Sequence, residues 1–388
     1  MDSIVAQIQA IAQNTDEAGR LDIIRALKQV KVELQSPHDT FLELAVPGLT
    51  SAMLRISADL GLLRHLTKSG KSLTVTQIAD LTGASPPLLE RILRYLAGVD
   101  LIKETGVNEY TANSITHILA DPKGEAMIYH GYDTIGPAMQ AMPEFFAENN
   151  YQDVTVNTNT PFQKAHNTKL TSFEWLVQNP KHFGNLQKIM TALQGSEWTE
   201  GFKLFDDEAR KISFKDPSTP QASEKPFFVD VGGGHGHQCI ELGKKYPNLL
   251  GYLILQDLPE AVKNLAAIDG VKAEAYDFFE PQPIIGAKFY YLRRIMHDWP
   301  DDKAATILRN LRAAMGPDSR VLIDDAVLPD TGANWQSAMA DLAMMTFAGK
   351  ERTKHQWEVL AESAGLRVEQ IHNYVAATYT AVLVLVAQ

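Results

Sequence analysis

The groups with chemistry to offer in this 388-residue chain are a histidine, two acids that follow it, and three further acids that each close an apolar run. His297 stands just past KFYYLRRIM, with Asp325 after the next apolar run and Glu351 in GKERT. A carboxylate on one imidazole nitrogen fixes the tautomer and leaves the other nitrogen free to take a proton, which is the arrangement of a general base. Asp230, Asp257 and Asp277 end the runs PFFVD, GYLILQD and VKAEAYD. An acid at such a strand end can accept both hydroxyls of a ribose. Asp277 can receive an adenine amino group while Phe278 covers the ring. Asp230 leads into Gly232, Gly233, Gly234 and Gly236, a turn tight enough for backbone to approach a ligand. A dinucleotide fingerprint would need a further glycine at 237, which is His237.

The elements that must hold these groups follow from the apolar pattern. PFFVD has the unbroken hydrophobicity of a parallel strand buried on both faces, and Gln238 to Tyr246 reads as the helix after the turn. Strand and helix then alternate through PEAVKNLAAI, VKAEAYD, KFYYLRRIM, DDKAATILRNLRAAM and RVLIDDAVL, as an α/β doubly wound sheet requires. LRVEQIHNY and TAVLVLV leave no room for a helix between them and are expected as an antiparallel hairpin at the sheet edge. Ahead of this domain, residues 4–11 and 21–34 carry apolar residues at helical spacing, and a long apolar helical segment follows Ser36. Thr74 to Gln77 is a capping box, Ser85 and Pro86 open another helix, and LIKETGVNEYTAN is strand-like, which together make a winged-helix pattern. Phe41, Leu44 and Met53 exceed what one helix needs for its own packing, so a homodimer is expected. The stretch 124–201 is helical and aromatic, and His130, Asp133, Gln187 and Thr191 are polar residues within it that suit a ligand. Residues 206–226 read as a connector. The expected division is 1–120, 121–205 and 206–388.

Composition narrows the function. A net charge of −11 argues against DNA binding by the winged helix, since nucleic-acid binders concentrate Lys and Arg. Cys239 is the only cysteine and leaves no partner for an internal disulfide. The N-terminus has neither a basic flank nor a sustained apolar run, so a cytoplasmic protein is expected, without a membrane partner. No clustered His or Cys set suggests a metal.

The run acid, x, Gly, x, Gly, x, Gly resembles motif I of the S-adenosylmethionine (SAM) methyltransferases. With LQDLPEAV, YLRRIMHDWPDD, LIDDAVLPD and AGKERT, nearly the whole chain resembles the plant and fungal small-molecule O-methyltransferases that include caffeic acid O-methyltransferase. The resemblance implies a Rossmann-like SAM-binding sheet behind an N-terminal winged-helix dimerisation domain, and SAM contacts at Asp230, Gly232, Gly234, Asp257, Leu258, Asp277, Phe278 and Arg293. It implies His297 as base, supported by Asp325 and Glu351; the plant enzymes usually carry Glu at the position of Asp325, one methylene longer. The acceptor is expected to be a hydrophobic aromatic or polyketide-like hydroxyl compound of fungal-type secondary metabolism. Phe41, His130, Asp133, Trp175, Met190, Met344, Met345 and Phe347 are expected to face it, since Met and aromatic side chains adapt to bulky apolar ligands. Fungal relatives of this family, the leporin-pathway pericyclase among them, keep SAM intact and catalyse dehydration and pericyclic rearrangement. The intact HDW favours methyl transfer, and His130 pulls toward that alternative.

Overall fold

The computed structural model describes residues 2–190, 197–213, 225–263 and 265–388. The chain divides into two compact units, Met1–Ala141 with Phe173–Leu193, and Met142–Ser172 with Gln194–Gln388. The stretch 121–205 is thereby shared between them.

The first unit begins with helices Asp2–Gln13, Glu17–Leu34, Pro37–Ala45 and Pro47–Asp59. Asp16 caps the second by accepting from the amide of Gly19, and Ser36 with Asp39 forms a capping box on the third. Large apolar side chains on these helices, including Ile4, Ile11, Ile24, Leu27, Leu34, Phe41 and Leu44, are exposed. The winged-helix portion follows as Leu62–Ser69, β1 (Leu73–Thr74), Val75–Thr82, Pro86–Gly98, β2 (Lys103–Gly106) and β3 (Glu109–Thr111). Thr74 and Gln77 make the expected capping box. Leu62, Leu66, Ile78, Leu89, Leu93 and Leu96 form the core, and the strands pair in the order β1-β3-β2. Among the described residues no single helix is long and apolar enough to cross a membrane; the bent pair Pro37–Ala45 and Pro47–Asp59 meets that test only jointly, by length and composition.

The second unit is built on β4 (Phe228–Val231), β5 (Leu253–Asp257), β6 (Val271–Ala275), β7 (Phe289–Arg293), β8 (Arg320–Leu328), β9 (Arg352–Thr353), β10 (Leu366–Val375) and β11 (Thr380–Ala387). The sheet order is β10-β11-β8-β7-β4-β5-β6, with β9 paired to β8. β4 to β8 pair in parallel, while β10 and β11 are antiparallel, as the sequence pattern predicts. Side chains alternate across each strand, so Val229, Val231, Tyr290, Leu292 and Ile323 pack with Ile307, Leu311 and Trp357 on one face. Phe228, Leu255, Phe289, Tyr291 and Leu322 pack with Trp198, Phe205 and Leu242 on the other.

Two expectations change. The connector expected over 206–226 begins inside the helix Lys203–Ala209, because Phe205 and Ala209 are buried and Asp206 accepts from the Tyr246 hydroxyl; residues 214–224 lie outside the described ones. The helix expected over 259–268 is only Pro259–Lys263. Ile268 packs over Gly236, where a Cβ would lie 2.4 Å from Ile268 Cδ1, so the chain leaves the helix to bring that side chain back to the turn.

Candidate active site

The turn after β4 is shaped for backbone contact. Gly232, Gly234 and Gly236 have φ of +75°, +57° and +75°, which side-chain-bearing residues rarely adopt. A Cβ on Gly232 would lie 2.7 Å from Ile295 Cδ1, whereas one on Gly234 would meet nothing within 4 Å, so the turn is packed behind and open in front. The amides of Gly232 and Gly233 donate to the Gln256 carbonyl at 2.8 and 3.1 Å. Asp257 at the end of β5 ties the loops together, accepting from the Gly234 amide on Oδ2 and the Leu258 amide on Oδ1, each at 2.7 Å. Each of its oxygens keeps acceptor capacity for a ribose hydroxyl. Leu258 is exposed beside it. Asp230 lies beneath the turn, 2% exposed, and burial with the nearby charge of Asp257 raises its carboxyl to about 7. It shapes the turn from below, which the sequence does not distinguish from direct contact.

Asp277 accepts from the Phe279 amide at 2.9 Å, and the Phe278 ring stands edge-on to Phe279 and Trp299, with centroids 5.0 and 5.9 Å away. Arg293 ends β7 with Nη1 3.7 Å from Asp324, which also accepts the hydroxyls of Tyr291 and Tyr374. A nucleoside-bearing sulfonium cofactor fits this set: an open glycine turn, an acid at ribose height on the next strand, and an acid with an aromatic ring on the one after.

His297 sits in the 3-10 turn Met296–Asp298 beyond β7. Its Nδ1 is 2.9 Å from Glu351 Oε1 and 4.0 Å from Asp325 Oδ1, and its Nε2 is 3.6 Å from Asp298 Oδ1. Glu351 is therefore the orienting partner, while Asp325 is too far to hydrogen-bond and acts through its charge. Backbone clamps fix the pair: the Lys350 amide donates to the His297 carbonyl at 2.7 Å, and the Glu351 amide donates to Asp341 Oδ1 at 2.9 Å. The buried Arg352 donates to the carbonyls of Met296 and Trp299 and to the Asp301 carboxylate. Burial pulls the imidazole down, but Asp325, Asp298 and Glu351 outweigh it and raise His297 to about 10. Asp325 and Asp298 are pushed up to about 7 and about 6, burial being the larger cause in both. A cavity of about 110 Å³ adjoins His297, Asp325 and Glu351. Among the described residues no group of three or more His, Cys, Asp or Glu is suited to a metal ion.

Asp298 and Arg352 escaped the sequence reading. Asp298 carried a signal, as the residue next to His297. Arg352 acts through contacts 51 to 56 residues away, which no local pattern displays.

Of the residues expected to face an acceptor, the first unit holds Phe41, His130, Asp133, Trp175 and Met190. His130 opens a π-helical turn, His130–Ile135, and its Nδ1 is buried without a hydrogen-bond partner. Burial, helped by the neighbouring His182, lowers it to about 4. Asp133 is taken up by Arg55, whose Nε lies 2.9 Å from both carboxylate oxygens, so an ion pair satisfies the group expected to await a ligand. The Trp175 ring stands edge-on to His182 at 4.8 Å; Gln187 is half-buried, Met190 is exposed and Thr191 lies outside the described residues. In the second unit Met344, Met345 and Phe347 are half-buried, and Met345 packs against the cluster of Phe145, Val154 and Ala348.

Residues 221–367 match the O-methyltransferase domain and residues 42–120 the O-methyltransferase dimerisation domain. The chain is 40% identical over 389 residues to demethylsterigmatocystin 6-O-methyltransferase of Aspergillus flavus, covering 100% of this chain and 98% of the relative. A LepI variant solved in complex with SAH and a substrate analogue superposes with a TM-score of 0.90 at 36% identity, covering 100% of this chain and 98% of that one. A structure described as a pericyclic reaction enzyme superposes with a TM-score of 0.88 at 35% identity, covering 100% and 99%.

Proposed function

Since this chain belongs to the O-methyltransferase family, we infer that its SAM-dependent methyl transfer in fungal-type secondary metabolism runs through His297 as base, onto a hydroxyl of an aromatic or polyketide-derived small molecule. The observation that supports this is the 2.9 Å contact of His297 Nδ1 with Glu351, which leaves Nε2, 3.6 Å from Asp298, without a hydrogen bond and able to take a proton. Bound at the glycine turn, SAM supplies a sulfonium methyl for in-line displacement by the acceptor oxygen, leaving S-adenosylhomocysteine. Gly232, Gly234, Asp257, Leu258, Asp277 and Phe278 hold it, Asp230 supports the turn, and Arg293 presents a cation at the end of β7. His297 Nε2 takes the hydroxyl proton as the oxygen attacks. A phenol near pKa 10 then need not be ionised beforehand, and holding the reacting atoms about 3 to 3.5 Å apart supplies much of the rate. Within the second unit, Met344 and Phe347 are the groups we assign to the acceptor.

A second reading, SAM-assisted dehydration or pericyclic rearrangement without methyl transfer, is favoured by His130, whose buried Nδ1 is held in its neutral form. One reaction separates the two. With methyl-labelled SAM and demethylsterigmatocystin-like polyketides as acceptors, we expect labelled product and an equal amount of S-adenosylhomocysteine. Unlabelled, isomeric or dehydrated product with SAM intact would overturn methyl transfer.

We also read residues 1–120 as a dimerisation region, 121–205 as substrate-binding and 206–388 as SAM-binding, in keeping with the matched stretches 42–120 and 221–367. A homodimer would cover the exposed Phe41 and Leu44 together with the half-buried Met53. Light scattering at micromolar concentration should give twice the 43.0 kDa chain mass, and a monomer would refute the assignment. A cytoplasmic location is our reading of the lone, buried cysteine.

A further inference from the structure

Arg294 is the charged neighbour of the base that the mechanism above does not use. It follows β7 with φ +52°, a left-handed conformation that a long side chain adopts only where its surroundings hold it. Its amide donates to the Asp324 carbonyl at 3.0 Å, anchoring that conformation to β8. Its side chain lines the cavity of about 110 Å³ together with His297, Asp325, Glu351, Ser337 and Thr380. Among the same residues are five buried polar atoms with no hydrogen-bond partner: Arg294 Nε, both oxygens of Asp325, Glu351 Oε2 and Ser337 Oγ. Asp325, Ser337 and Glu351 are 2%, 5% and 6% exposed. A guanidinium that shares this cavity with His297, Asp325 and Glu351 sets a positive charge against their carboxylates.

We propose that Arg294 is a positioning residue for the base: as the cation lining the cavity it shares with Asp325 and Glu351, it limits how tightly the carboxylates keep a proton on His297. The charged and titratable groups around it are Arg293, His297, Asp298, Asp324, Asp325, Glu351 and Tyr374. Four of these are carboxylates, so one cation removed leaves an imidazolium more strongly held. The charge of Arg294 is felt within this cluster, since it depresses the proton affinity of Asp298 and Asp324. The proposal rests on the reading of His297 as base and deepens it.

Diethyl pyrocarbonate acylates only neutral imidazole, so its initial rate at His297, followed by peptide mass spectrometry against the exposed His38, reports the neutral fraction without acceptor or SAM. Arg294→Met should lower that rate roughly fivefold to tenfold, up to one unit of imidazole pKa, and Arg294→Lys should restore most of it. An unchanged or faster rate in Arg294→Met would overturn the proposal, as would a Lys variant that falls as far as Met, since shape and not charge would then matter. Should Arg294→Met not fold, Arg294→Gln is read in the same way. Because the probe requires no methyl transfer, a negative labelled-SAM experiment leaves this outcome readable.

Discussion

His297→Ala is expected to lower turnover by roughly 10²- to 10⁴-fold, the usual worth of a positioned general base, while SAM affinity stays within a few-fold of wild type. The imidazole is aimed by Glu351 on Nδ1, and without the ring nothing within reach replaces a proton acceptor of matched affinity. The surrounding carboxylates raise the imidazole to about 10. The sign then follows: a raised pKa keeps the ring protonated and idle below it, so activity falls as pH drops through that pKa and grows as pH rises toward it. A bound sulfonium adds a cation near the ring and favours its neutral form. The acid limb of kcat, which reports the loaded enzyme, is therefore expected at lower pH than that of kcat/KM, and coincident limbs would show that the cofactor does not prepare the base. An alanine variant with wild-type turnover would remove His297 from the chemistry altogether.

Asp257→Ala should weaken SAM binding by about 2 to 3 kcal/mol, some thirtyfold to 150-fold, the range of a charge-assisted hydrogen bond lost from a protected site. Two losses act together. The ribose loses its acceptor, and the amides of Gly234 and Leu258 lose the carboxylate that sets the two loops against each other. Asp257→Asn, which can still accept from those amides, should recover part of the affinity. Titration calorimetry measures both, and an alanine variant binding SAM as tightly as wild type would mean that the ribose lies elsewhere.

What the sequence made legible is what local pattern determines. The strand, glycine turn and helix from Phe227 to Tyr246, the Thr74 capping box and the final antiparallel hairpin all depend on residues close together in the chain. His297 was legible because the HDW run sits at a strand end, where a parallel sheet presents its ligand-binding edge. The division of labour among its acids was not, because 2.9 Å for Glu351 against 4.0 Å for Asp325 depends on how separate loops close. Asp133 shows the same limit. A half-buried acid announces a need for a partner but not which one, and here Arg55 supplies it from 78 residues away. The π-helical turn at His130 left no mark in the apolar spacing, and neither did the left-handed backbone at Arg294, a residue type that does not advertise such a conformation.

Asp324 and Asp325 are adjacent on β8 and look in opposite directions, one toward Tyr291, Tyr374 and Arg293, the other toward His297. Consecutive strand residues part in this way, so a one-residue slip would turn each to the opposite face. As descendants of such a gene diverge, a one-residue insertion or deletion between Arg320 and Asp324 would turn both carboxylates to the opposite faces at once. Side-chain exchange at 325 is a smaller step, since it alters reach without altering direction. This segment should therefore drift in composition while its length stays frozen.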